Sequence, residues 1–248
     1  MNCKTRIGWG RCQSKATGPA LLKKEKMRLL FVKKEAVVRG LKRFFWFANG
    51  IFINAFGVAL ITKAGLGSPP IAGMTYLLSN YFPLTMGQVT FLLNLLFILI
   101  QIALLRRNFR PAQFLQIITN ILFSTCIDIS LWLLRWVEPG SFFVKLGALL
   151  AGCLILALGI AVEVAPDLIF APGDGLVRAI AQVSGKPFGT AKLGFDAVVV
   201  LCAVVLSLLL FHALYGVGFG TVVAALLVGR TVNGINRHCS LVQHIQKL

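Results

Sequence analysis

Acidic residues are scarce in this chain: 8 Asp and Glu stand against 25 Lys and Arg, and charge of either sign makes up only 13% of 248 residues. A soluble domain carries about 25%, so an ordinary solvated surface is excluded. Metal and disulfide patterns are missing as well. The six cysteines, Cys3, Cys12, Cys126, Cys153, Cys202 and Cys239, form no CxxC pair, which makes them reduced structural thiols rather than a zinc site or disulfide framework. No nucleophile, base and acid stand in a catalytic pattern, so neither an enzyme nor a cofactor is expected. The run Gly216-Val217-Gly218-Phe219-Gly220-Thr221 has the glycines of a phosphate loop. It lacks the strand before it and the Lys-Ser/Thr after it, and small-residue helix packing is the reading. The first 26 residues hold no apolar core with a cleavage site, hence no signal peptide. They read as disordered, with Met27 an alternative start.

What the chain does have is apolar length. Hydrophobic residues make up 57%, and the mean hydropathy is +0.82. Stretches of roughly 20 apolar residues, enough to cross about 30 Å of hydrocarbon, lie at Phe44–Ala64, Gly87–Leu105, Pro111–Leu134, Lys145–Ala165, Gly189–Phe211 and Tyr215–Val232. Two helical segments, Pro69–Phe82 and Pro172–Ser184, open with Pro and Gly and are too short to cross. Most of the positive charge precedes Phe44. A basic segment directly before a span predicts a cytoplasmic anchor drawn to anionic lipid headgroups, and Leu21–Phe44 has the apolar clusters of a helix lying on the inner surface. No recognition motif accompanies the charge, so nucleic acid is not an expected partner.

Slid against itself by about 102 residues, the chain matches Gly50 to Gly152, Gly57 to Gly159, Pro70 to Pro172, Gly73 to Gly175, Gly87 to Gly189 and Thr119 to Thr221, and sets Asn94 on Asp196 and Asp128 on Arg230. These matches imply an internal repeat: span, short broken helix, span, span. Three spans per half require the second half to be inverted. Four would make the halves parallel. The positive-inside rule favours inversion, because it puts Arg106-Arg107-Asn108-Phe109-Arg110 in the cytoplasm with Arg230, Arg237 and Lys247. The predicted fold is therefore an all-α integral membrane protein of six transmembrane helices and two re-entrant helices, as two inverted three-span repeats. Its parts are a basic segment (1–43), two membrane repeats (44–136 and 145–235) and a cytoplasmic tail (236–248), with both termini in the cytoplasm and the bilayer as partner.

Inverted repeats with paired breaks predict a secondary transporter of a small polar or anionic solute. Helix N-termini at the breaks offer unpaired N–H groups. Ser68 with Pro69, and Asp174 with Gly175, stand where those helices begin, Ser68 and Asp174 placed either to cap them or to meet solute. Asp196 sits about seven residues into its span. Its repeat mate Asn94 lies at equal depth, and a twofold would bring both to one polar centre. Lys192, four residues before Asp196, shares its face. The pair either couples transport to an ion or proton or neutralises itself structurally. Glu163 and Asp167 read as solvated at an interface, and Asp128 is not expected to reach Arg230. The rival is a non-transporting accessory or scaffold protein.

These residues resemble the YczE/YyaS/YitT-type family of bacterial membrane proteins. The resemblance rests on Lys63-Ala64-Gly65-Leu66-Gly67-Ser68-Pro69, Pro172-Gly173-Asp174-Gly175-Leu176, and Gly218-Phe219-Gly220-Thr221 with Gly229. It covers about residues 44–235 and implies a multi-pass fold without naming a solute. That family's first break often continues Ser-Pro-Trp-Asp. Here Pro70 and Ile71 follow instead, leaving Asp174 as the break's remaining acid.

Overall fold

A computed structural model of the chain describes residues 19–106, 109, 111–137, 139–166, 168–213 and 216–246. The expected disorder of the first 18 residues, the cytoplasmic placing of Arg107, Asn108, Arg110 and Lys247, and the reading of Asp167 fall outside them. Among the described residues every regular element is helical: α1 (Pro19–Ala64), α2 (Pro70–Tyr81), α3 (Met86–Leu105), a single 3₁₀ turn (Pro111–Phe114), α4 (Leu115–Leu133), α5 (Phe142–Val164), α6 (Pro172–Ser184), α7 (Phe188–Phe211), α8 (Phe219–His238) and α9 (Ser240–Gln246). Met1–Leu41 and Lys42–Leu248 are separate compact units, and the second holds both breaks and every candidate site residue.

Local chemistry sets the helix starts. Thr85 accepts from Gln88 N while the Gln88 side chain accepts from Thr85 N, a reciprocal cap that opens α3. Asp128 of α4 reinforces it, accepting from Thr85 Oγ1 at 2.7 Å and Gly87 N at 2.8 Å. A carboxylate at a helix N-terminus is favoured by the partial positive charge there. Proline occupies the first turn of α2 and of α6, where its missing N–H costs nothing. Gly185 ends α6 at φ +65°, the left-handed conformation glycine adopts without strain.

Among the described residues, five helical segments are long and apolar enough to cross a membrane: Val37–Ala64, Met86–Leu105, Leu115–Leu133, Phe142–Val164 and Phe188–Phe211. The sixth expected span, Tyr215–Val232, is not among them. Its helix, α8, carries Arg230, Asn233, Asn236, Arg237 and His238 in its second half, which lowers its hydropathy below that of the other five. At 12 and 13 residues, α2 and α6 extend about 18 and 20 Å at about 1.5 Å per residue, short of the hydrocarbon core.

The core runs between α1, α4, α5 and α8, with Phe47, Ile51, Val58, Ile61, Ile127, Leu149 and Leu156 buried in it. Here α1 and α5 approach to backbone contact. Gly50 faces the backbone of Val162 and Glu163, Gly159 that of Asn54, Gly57 that of Leu156, and Gly152 faces Ile61. Numbers rise along one helix as they fall along the other, so α1 and α5 are antiparallel. The contacts also exchange under the offset of about 102 residues: Gly50 meets Glu163 while Gly152 meets Ile61, the repeat mate of Glu163, and Gly57 meets Leu156 while Gly159 meets Asn54, the mate of Leu156. Around this pair the short helices pack crosswise, α2 on α7 and α6 on α3, while each also touches its own neighbour, α2 on α3 and α6 on α7.

Candidate functional site

The second break places the charged groups. Ala171 is the N-cap of α6, with Pro172 at its first position and no side-chain cap. Asp174, placed by sequence either to cap the helix or to meet solute, stands in its first turn without capping it and turns to α7. Lys192 Nζ lies 3.3 Å from Asp174 Oδ1 and 3.2 Å from Asp196 Oδ1. One helical turn separates Lys192 from Asp196, so both project from one face, and Asp174 closes the triad from the facing helix. Their side chains are 41%, 32% and 27% exposed for Asp174, Lys192 and Asp196, so the triad is half-buried rather than sealed in the core. Apolar walls flank it. Phe97 and Phe195 meet edge to face at 5.4 Å, beside Leu93 and Leu176 with Ile71, Met74 and Ile180. Lys192 Nζ lies 5.7 Å from the Phe195 ring centre.

The first break is built differently. Ser68 is not the cap of α2; Pro69 holds that position with no side-chain bond. The Ser68 hydroxyl is turned away from the helix start, donating to Thr62 Oγ1 at 3.1 Å, and its N–H donates to Gly216 O at 3.1 Å. Gly220 N reaches Leu66 O at 2.7 Å, tying this break to the segment before α8. Gly67, at φ +117°, lies against the backbone of Gly218 and Thr221, where a Cβ would collide. The glycines that resemble a phosphate loop therefore receive another loop. The starts of the two short helices meet: Ile71 packs on Gly173.

Asn94 and Asp196 take separate partners. Asn94 Nδ2 donates to Asn120 Oδ1 at 2.9 Å, and Asn120 Nδ2 donates to Phe91 O at 3.0 Å, joining α3 to α4. The expected single polar centre is thus two: a neutral amide pair in the first half and a charged triad in the second.

Sequence reasoning missed two buried groups. Gln101 Nε2 donates to Pro172 O at 2.9 Å and to Gln116 Oε1 at 3.3 Å, and both amides close on Gly175. Gly175 is thereby a close-approach position that lets α6 seat on α3. Glu163, read as interfacial, is 8% exposed and accepts from Asn54 Nδ2 at 2.6 Å across the α1–α5 contact. The signal was available, since Gly50 and Gly159 draw these helices together where the two residues lie. Among the described residues no three of His, Cys, Asp and Glu are placed to hold a metal ion.

Residues 41–237 match a family of unknown function, DUF6198. The chain is similar to two proteins of Bacillus subtilis. It is 27% identical to the uncharacterized membrane protein YczE over 219 residues, 88% of this chain and 92% of that one. It is also 27% identical to the uncharacterized protein YyaS over 147 residues, 58% of this chain and 71% of that one. The resemblance read from the two breaks holds for both. No solved structure matches.

Proposed function

The chain belongs to the DUF6198 family, and from that premise we propose that this multi-pass membrane protein is a secondary transporter of a small polar solute, moved past the triad of Asp174, Lys192 and Asp196. The architecture of the proposal is two inverted three-span halves with α2 and α6 re-entrant, both termini in the cytoplasm, in the cytoplasmic membrane. Its basic N-terminal segment rests on anionic lipid.

The antiparallel crossing of α1 and α5 through glycines that exchange under the repeat offset carries this reading. The first helix of each half occupies that crossing, so opposite directions there favour inverted over parallel halves. Crosswise packing of α2 on α7 and α6 on α3 suits a twofold between halves. In inverted-repeat carriers, broken helices line a site between the repeats, and here the starts of α2 and α6 meet next to the triad's helix.

Charge narrows the solute. Two carboxylates against one ammonium leave the triad with an excess negative charge, which favours a polar solute bearing a cationic group over a simple anion. Such a group would take over from Lys192 on Asp174 or Asp196. One observation favours the accessory-protein alternative: Lys192 is already paired on both sides, as a purely structural charge would be. Thermal unfolding of purified protein against amines, amino acids and carboxylates separates the two, because a ligand of the folded state raises its stability by mass action. Compounds bearing an ammonium group are expected to stabilise the wild type and to lose that effect in Asp174→Asn. Silence across the panel, with normal stability, favours the accessory protein.

A further inference from the structure

Glu163 belongs to no part of the triad or the two breaks, yet it is the most deeply buried carboxylate among the described residues. It stands on the last turn of α5, pressed against α1 where Gly50 brings the two backbones together. Its hydrogen bond comes from the neutral Asn54 amide at 2.6 Å, and no cation pairs with it among the described residues. The helices packed on α5 at this end carry Lys42 and Arg43 on α1 and Arg230, Arg237, His238 and His244 on α8 and α9, none of them ion-paired with Glu163 among the described residues. On that same end, Val242 and Ile245 of α9 are buried against Ala161, Val162 and Ala165, shutting water from its flank.

A carboxylate so enclosed, with one neutral donor, is expensive in its ionised form. The inexpensive form holds a proton: Oε2 serves as the carbonyl oxygen that Asn54 addresses, and Oε1 carries the hydrogen. From this geometry we propose that Glu163, held by Asn54 at the α1–α5 crossing, is a proton-binding site. The reaction is a simple binding equilibrium. The carboxylate takes one proton from the aqueous phase, its own negative charge is cancelled, and the proton is returned on release. The coupling of that proton to solute rests on the transporter reading, whereas the binding of the proton does not.

Infrared difference spectroscopy of the full chain in lipid nanodiscs, titrated with pH and with no solute present, tests it. The expected result is the C=O stretch of a protonated carboxylic acid in the wild type, lost at alkaline pH and missing from Glu163→Gln. Because Gln keeps the shape and the acceptor for Asn54, that variant is expected to fold. Asn54→Leu provides a second check: the band persists but moves to higher frequency as the hydrogen bond to its carbonyl is removed. A wild type without the band, a band unchanged in Glu163→Gln, or a band unmoved in Asn54→Leu overturns the proton site. None of these outcomes depends on solute, so a chain that binds the proton but no compound of the panel contradicts transport alone.

Discussion

Lys192 shows how far single residues announce themselves. Its position four residues before Asp196 places both on one helix face, and that half of the triad was legible from spacing alone. The contact with Asp174 was not, since it joins residues on two helices whose packing no local pattern reports. Sequence placed Asp174 at the start of α6, either to cap it or to meet solute. Proline and the backbone open α6 without it, which frees its carboxylate for Lys192. Glu163 was misread for a related reason: near the end of an apolar run a carboxylate resembles an interfacial one, and only the glycine contact with α1 shows it to be enclosed. The triad also alters what substitution costs. Asp196→Asn leaves Lys192 paired with Asp174, so the expected loss is about 0–1 kcal/mol, as for an exposed ion pair. Lys192→Met strands two half-buried carboxylates and is expected to cost about 1–3 kcal/mol, less than the roughly 3–5 kcal/mol of a fully buried pair. Denaturant unfolding in detergent checks the order. Equal losses would show that the second carboxylate contributes nothing.

Among the elements, the crossing of α1 and α5 is the most demanding. At Gly57 an added Cβ would strike the backbone of Leu156, and at Gly159 that of Asn54. Backbone does not yield as a side-chain tip does, so Gly57→Ala and Gly159→Ala are each expected to cost at least about 1–3 kcal/mol, the range for overpacking. Gly147 lies in the same α5 with open space around it, and Gly147→Ala is expected to be neutral in the same unfolding assay. If all three behave alike, the close contact is absent in solution. The sequence carried part of this element: glycines seven apart in each half matched across the repeat, but nothing in the pattern showed that they meet. It carried α8 less well, because its apolar stretch gives way to Arg230 and the polar residues beyond it, and hydropathy reads such a helix two ways. The start of α2 was misjudged as well. Ser68 looks like a cap, but its hydroxyl is taken by Thr62 and its N–H by Gly216, the latter contact depending on a loop far along the chain.

At the scale of the whole molecule, composition alone was enough for an all-helical membrane protein, and the repeat for the order of its helices. The direction of the halves relied on a handful of arginines in short loops, and it gains independent support from the antiparallel pair in the core. If α2 and α6 crossed the bilayer, α1 and α5 would run the same way through it. Two inverted halves place the loop between α3 and α4 in the cytoplasm and the loop between α4 and α5 outside. Reporter fusions after Asn108 and after Gly140 measure this directly. The expected result is a cytoplasmic reporter at Asn108 and an external one at Gly140. An external Asn108 with a cytoplasmic Gly140 would mean parallel halves, and would contradict the inverted arrangement on which the proposed transporter stands.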